Sequence, residues 1–230
     1  MSKKQNKAAS KRAVGLITLT HPSSPISEQY RTIRTNIQFA ASGDRRLQSM
    51  VITSSGPAEG KSTTAANLAI VFAKSGQRVL LVDADMRKPT VDQTFHLPNA
   101  RGLSTVLSTN QSVLESCQPT FVDNLDVLTS GPKPPNPSEL IDSKRMYQVE
   151  MELKQVYDFI IFDMPPVITV TDAQIMSSKV DGTLLVVREN VTSKESIAKA
   201  KEALGLVQAR VLGVVYNGAT HTRDQGYYYY

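Results

Sequence analysis

Six short apolar runs that do not alternate with polar residues constrain this 230-residue chain more than any other feature. They are Met50–Thr53, Val79–Val82, Leu125–Leu128, Phe159–Phe162, Thr183–Val187 and Val211–Val215, all rich in Val, Ile and Leu. A strand with one wet face alternates apolar and polar side chains, whereas a continuous run needs apolar cover on both faces. The sequence supplies that cover. Helical patterns at Ser62–Lys74, Ser138–Val156, Ala173–Lys179 and Ser193–Val207 fall between the runs. Ahead of them, Ser27 is placed to cap a helix reaching about Ala41, with Tyr30, Ile33, Ile37 and Ala40 on its buried side. Strand–helix alternation of this length predicts a single α/β domain: a mostly parallel central sheet flanked by helices, in three layers.

Composition narrows the class. Hydrophobic residues make up 40% and charged residues 20%, as in folded, water-soluble proteins. The single Cys117 cannot form an intramolecular disulfide. No apolar run approaches the ~18 residues of a membrane span. The stretch from Ala13 to Leu19 is too short and too interrupted for a signal peptide, so a cytoplasmic protein is expected. The net charge of +5 is local: Lys3, Lys4, Lys7, Lys11 and Arg12 account for it, and without them 21 basic residues face 21 acids. The body is neutral, which argues against a nucleic-acid partner. Residues 1–26 read as a basic, flexible tail, 27–218 as the domain and 219–230 as a second tail. Gly131 to Pro137, with four prolines, reads as a rigid surface connection whose Pro137 suits the first turn of the next helix.

Three chemical motifs sit at the ends of the apolar runs. Ser54-Ser55-Gly56-Pro57-Ala58-Glu59-Gly60-Lys61-Ser62-Thr63 follows a strand and opens a helix, the setting of a phosphate-binding loop. A helix N-terminus offers free N–H groups and partial positive charge to an anion. Lys61 can reach the β- and γ-phosphates, and the Ser62 hydroxyl can ligate Mg²⁺. Ser55 stands where the strict pattern has its first Gly. An ordinary Gly-containing turn would share part of this pattern; two distant acid motifs separate the readings. In Val79-Leu80-Leu81-Val82-Asp83-Ala84-Asp85, a buried strand delivers two carboxylates where α/β sheets bind ligands. Two converging carboxylates are unfavourable unless a cation sits between them. In Phe159-Ile160-Ile161-Phe162-Asp163-Met164-Pro165-Pro166, the prolines stop the strand just past Asp163, which can hold a water on nucleotide-bound Mg²⁺.

This ordered set closely resembles the bacterial tyrosine kinases of capsular and exopolysaccharide biosynthesis, from Ser27 onward. Glu28-x-x-Arg31-x-x-Arg34, Pro135-Asn136-Pro137-Ser138-Glu139-Leu140 and the C-terminal tyrosines match as well. The resemblance implies a P-loop NTPase-type fold shared with partition-type ATPases, and ATP and Mg²⁺ as cofactors. It implies that Gly56, Pro57, Ala58, Glu59, Gly60, Lys61, Ser62 and Thr63 form the ATP-binding loop, with Asn217 at the adenine. Ser62, Asp85 and Asp163 would serve the metal. Lys61, Asp83 and Asp85 would be catalytic, with Asp83 ahead of Asp85 as acceptor of the tyrosine proton. Ala58 replaces a family Gly, which puts the local loop conformation in question.

Four of the eight tyrosines are the last four residues, Tyr227, Tyr228, Tyr229 and Tyr230, behind a polar, Gly-containing stretch. Beside this family's phosphate loop they read as autophosphorylation sites entered in trans, where added charge would loosen an oligomer. Glu28, Arg31 and Arg34 form a stripe roughly opposite the Tyr30/Ile33/Ile37 face. The resemblance makes that stripe a subunit contact of a ring-like homo-oligomer. It also implies a transmembrane activator whose cytoplasmic tail recruits the kinase to the inner membrane face, and a cognate tyrosine phosphatase. Two other functions stay open: a partition or cell-division ATPase switch, and a nucleotide-dependent scaffold for polysaccharide assembly with little catalysis.

Overall fold

The computed structural model describes residues 13–40, 47–109 and 111–219. The tyrosine cluster at 227–230 and the basic run at 1–12 lie outside them. Two helices come first, α1 (Ile17–Thr20) and α2 (Pro25–Ala40). Then follow β1 (Ser49–Ser54), α3 (Lys61–Ala73), β2 (Val79–Asp83), α4 (Val91–Phe95) and α5 (Leu103–Ser108). Next are β3 (Gln118–Pro119), β4 (Leu125–Leu128), α6 (Pro137–Asp142) and α7 (Lys144–Lys154). The chain closes with β5 (Phe159–Asp163), α8 (Asp172–Ser177), β6 (Gly182–Arg188), α9 (Lys194–Leu206) and β7 (Val211–Asn217).

The seven strands form one sheet in the order β3-β4-β2-β5-β1-β6-β7. Every pairing is parallel except β3 with β4, an antiparallel edge too short to leave a sequence pattern. Successive residues along a strand face opposite layers. Met50, Ile52 and Leu81 therefore join Tyr30, Ile37, Leu68 and Phe72 in one core, while Val51, Leu80 and Val82 join Met146, Leu153 and Leu204 in the other. Phe72 of α3 stacks on Phe159 of β5 with ring centroids 4.2 Å apart. Two apolar layers on a mostly parallel sheet are the three-layer sandwich the continuous runs require.

Three local expectations change. Ser27 is not the cap of α2: the helix starts at Pro25, Ser24 Oγ accepts from the Ser27 amide, and the Ser27 hydroxyl donates inward to the carbonyl of His21. The single helix expected over 138–156 is two, because Ser143 adopts an extended conformation and caps α7 by accepting from the Met146 amide. Part of the expected tail is folded. Thr18 is buried, its amide and hydroxyl both donate to Asn67 Oδ1 of α3, and Leu16, Ile17 and Leu19 pack on the core.

Strand β1 lies in the middle, between β5 and β6. The chain leaves it toward β2 on one side and later adds β6 on the other. Such a reversal opens a crevice at the carboxyl ends of the strands, which is where α/β sheets bind ligands. All three motifs lie there.

Candidate active site

The loop from Ser54 to Gly60 is held from behind by side chains, so its shape precedes any ligand. Ser54 Oγ donates to the Gly56 carbonyl at 2.7 Å, Arg188 Nη1 to that of Ala58 at 2.9 Å and Asn217 Nδ2 to that of Glu59 at 3.0 Å. With three carbonyls satisfied, the loop is preorganised for an anion instead of collapsed on itself. The Glu59 side chain turns back and is 3% exposed, accepting from the amide and hydroxyl of Ser55. A hydroxyl at the first-Gly position is thereby tied into the loop. Ala58 has φ 62, the left-handed region that a Gly would occupy without strain. Gly60 has φ 100, and a Cβ there would collide with Asn217 Nδ2.

Gly60 is followed by α3, whose first-turn N–H groups have no partners within the helix. Lys61 crosses the mouth of the sheet, its Nζ 2.9 Å from Asp85 Oδ2 and 3.5 Å from Asp163 Oδ1. Burial alone would lower the ammonium's pKa; the charges of Asp163 and Asp85 overcome that and push it up to about 12. Asp83 and Asp163 face each other in register across β2 and β5, both fully buried. Burial, and then the neighbouring Asp163 charge, push Asp83 up to about 8 against the amides of Val91 and Thr90. Burial also raises Asp163, opposed by Lys61 and the Ser62 hydroxyl. Neither oxygen of Asp163 completes a well-formed hydrogen bond, nor does Asp83 Oδ1.

A cavity of about 700 Å³ opens over this cluster. Of the residues expected to bind ATP, Pro57, Ala58, Gly60, Lys61, Ser62, Thr63 and Asn217 line it; Gly56 and Glu59 do not. Asn217, which the resemblance puts at the adenine, lines the cavity and donates through Nδ2 to the Glu59 carbonyl. Asp85 lines the cavity, whereas Asp83 lies beneath it with Oδ2 accepting from the amides of Thr90 and Val91. Sequence reasoning missed Arg188 and Val14. Arg188 ends the β6 run, a cation at the ligand end of a buried strand, and that position was its signal.

The expected subunit stripe is only partly free. Arg31 pairs with Glu28 and donates to the Pro22 carbonyl at 2.7 Å. Arg34 is half-buried and donates to the Val71 carbonyl of α3 at 3.2 Å. Both arginines lie on one side of α2, beside buried Ser27 and toward Val71 and Lys74 of the α3 end, and do not form a stripe opposite the packed face.

A helix that opens on Gly-Lys-Ser from the middle strand of a parallel sheet, facing strand-end acids, is how P-loop nucleotide-binding proteins hold a triphosphate. Residues 50–212 match the AAA domain family. The tyrosine-protein kinase YwqD of Bacillus subtilis (strain 168) is 52% identical over 215 residues, covering 94% of this chain and 90% of that one. Among solved structures, the chimerical protein CapA2B2 superimposes with a TM-score of 0.86 at 43% identity, over 94% of this chain and 99% of that one. The kinase domain of the Escherichia coli tyrosine kinase ETK gives 0.84 at 30% identity, over 94% and 86%. This chain belongs to the bacterial tyrosine-protein kinases.

Proposed function

We propose that this protein-tyrosine kinase is an ATP- and Mg²⁺-dependent autokinase that regulates capsular or extracellular polysaccharide synthesis, phosphorylating Tyr227–Tyr230 of a second copy. The observation that carries the reading is the Lys61–Asp85–Asp163 cluster, in which Lys61 and Asp85 line the cavity and Asp163 lies buried behind them.

The residues fit a hard divalent cation. The oxygens of buried Asp163, neither of which completes a well-formed hydrogen bond, and the Ser62 hydroxyl are oxygen donors of the kind Mg²⁺ takes, with Asp85 on the cavity wall. A bound Mg²⁺ would neutralise charge on the phosphoryl oxygens. Loop amides and Lys61 bind the triphosphate and stabilise the same charge. Lys61 leaves Asp85 for the β- and γ-phosphates, which frees Asp85 Oδ2 on the cavity wall. Exposure to the cavity favours Asp85 over Asp83 for orienting the phenol and accepting its proton late, since Asp83 is sealed beneath and bound to two amides. Asp83 then holds the turn that follows β2.

The family resemblance further supports a ring-like homo-oligomer contacting through Glu28, Arg31 and Arg34 and loosened by tail phosphorylation. It also supports an activator with a cytoplasmic tail that brings the kinase to the inner membrane face, and a phosphatase that resets it. No helix among the described residues is long and apolar enough to cross a membrane, which fits recruitment by a partner.

The trans reaction is tested by mixing two full-length variants with MgATP. One carries an intact site and Phe at 227–230; the other is Lys61→Met with its tyrosines intact. Phosphotyrosine on the Lys61→Met chain supports transfer between copies, and its absence, while the unaltered protein becomes tyrosine-phosphorylated under the same conditions, rejects it.

A further inference from the structure

Asp172 lies at the start of α8, outside every motif discussed so far, and is fully buried. Its carboxylate takes both arms of one guanidinium: Arg87 Nε donates to Oδ2 at 2.9 Å and Arg87 Nη2 to Oδ1 at 3.0 Å. A fork of this kind fixes angle as well as distance, which a lysine cannot do. Arg87 belongs to the turn that carries Asp85, and that turn grips the Asp85 carboxylate. Asp85 Oδ1 accepts from the Lys88 amide at 2.9 Å and from the Arg87 amide at 3.3 Å. The pair therefore spans two parts of the site. On one side stands the turn after β2; on the other is α8, reached from Asp163 through the Pro165-Pro166 segment that lines the cavity.

Stability alone is a weak reason for such a pair. Desolvating a carboxylate costs several kcal/mol, and a well-packed apolar pair of similar volume is often as stable. Fixed geometry is what a bidentate guanidinium on a buried carboxylate adds. We infer that Asp172 is a positioning residue for phosphoryl transfer: through Arg87 it locks the turn whose amides set the direction of the Asp85 carboxylate. This rests on the reading above that Asp85 faces the phenol. Arg87 borders the same cavity, but the hydrogen bonds of the pair run to each other and to Asp85, and none goes to the phosphate loop. Its loss should therefore act on the chemical step more than on nucleotide binding.

The test uses the full-length protein with Asp172→Asn, which keeps the size of the side chain but can accept only one arm of the fork. Arg87→Lys, which keeps the charge, serves as a second route should the first variant fold poorly. With thermal unfolding as a check on folding, the expected result is a kcat for tyrosine phosphorylation lowered about tenfold or more, since small misplacements of reacting groups carry such penalties. For Asp172→Asn, which alters a buried group that does not line the cavity, MgADP affinity and KM for ATP should stay within about twofold, and the double variant should lower kcat no further than the poorer single one. A merely structural role would lower stability and leave kcat per folded molecule intact. A folded Asp172→Asn or Arg87→Lys protein with unchanged kcat overturns the inference. Asp85→Asn is run alongside: if that variant keeps full activity, it is the assignment of Asp85 that fails, whatever Asp172 does.

Discussion

Lys61 Nζ lies 2.9 Å from Asp85 Oδ2, so the cation that must meet a triphosphate is held by the acid proposed to meet the tyrosine. One ion pair links the two halves of the reaction. In the proposed mechanism, nucleotide arrival exchanges the carboxylate for phosphate oxygens and frees Asp85 Oδ2 from its ion pair. Replacing Lys61 with Met removes the donor while keeping the chain's length. Phosphoryl transfer should fall by about a thousandfold, near the upper range for losing one transition-state donor. Far-ultraviolet circular dichroism should be unchanged. Normal tyrosine phosphorylation by that variant would remove the basis of the site.

Ala58 carries the strain of the phosphate loop. A left-handed conformation costs an L-residue about 1–2 kcal/mol, part of which a Gly returns through its freer unfolded chain. Ala58→Gly should therefore stabilise the protein by about 0.5–1 kcal/mol, a rise in Tm of about 1–4 °C at this chain length. The Arg188 bond to its carbonyl is made by the backbone and should survive. Calorimetry of the two proteins decides it; a destabilised Gly variant would mean the loop relies on the methyl group.

The buried Asp83 sets a pH dependence with a definite sign. Its folded pKa of about 8 lies far above the ordinary value of 3.8, so the folded state keeps a proton the unfolded chain releases. Its stabilising contribution is complete below about pH 4, declines as pH rises and is gone above about pH 8. Asp83→Asn cannot ionise. Measured in chelator without nucleotide, that variant should gain stability relative to the parent as pH rises from 6 toward about 9. A parent-minus-variant difference that is flat with pH would contradict the burial argument.

Arg31→Ala with Arg34→Ala tests the assembly proposal. Because Arg34 also donates to the Val71 carbonyl, the pair should cost about 1 kcal/mol of stability from that bond. Sedimentation at a temperature where the protein is folded should show loss of the oligomer, and an unchanged mass would retire the contact.

Much of this architecture can be read from the sequence, for one physical reason. A parallel strand covered on both faces must be apolar throughout, so β1, β2, β5 and β6 announce themselves within a residue or two at each end. β4, interrupted by Asp126, and the edge strand β7, whose Val211, Val214 and Tyr216 are exposed, are apolar enough to be read with them. Elements held by tertiary contacts carry no such pattern. β3 is two residues long, and α4 and α5 run five and six, so short that no apolar stripe separates them from the loops around them. The break at Ser143 shows the same limit, since an apolar stripe continues across it while one capping hydroxyl starts a new helix. In the site, loop residues and strand-end acids are legible because their spacing is local. The Arg87–Asp172 pair is not, being 85 residues apart in the chain. Nor does sequence separate Asp83 from Asp85: two residues apart on an extended chain they look alike, and only the turn beyond β2 buries one and opens the other to the cavity.

The most direct measurement is transfer from γ-labelled ATP in the purified full-length protein with Mg²⁺, followed by mass spectrometry of the C-terminal peptide. Label should appear as phosphotyrosine within Tyr227–Tyr230 in the parent and be missing in Lys61→Met. Label released only as inorganic phosphate, with those four tyrosines unmodified, would leave a nucleotide hydrolase where a kinase is claimed.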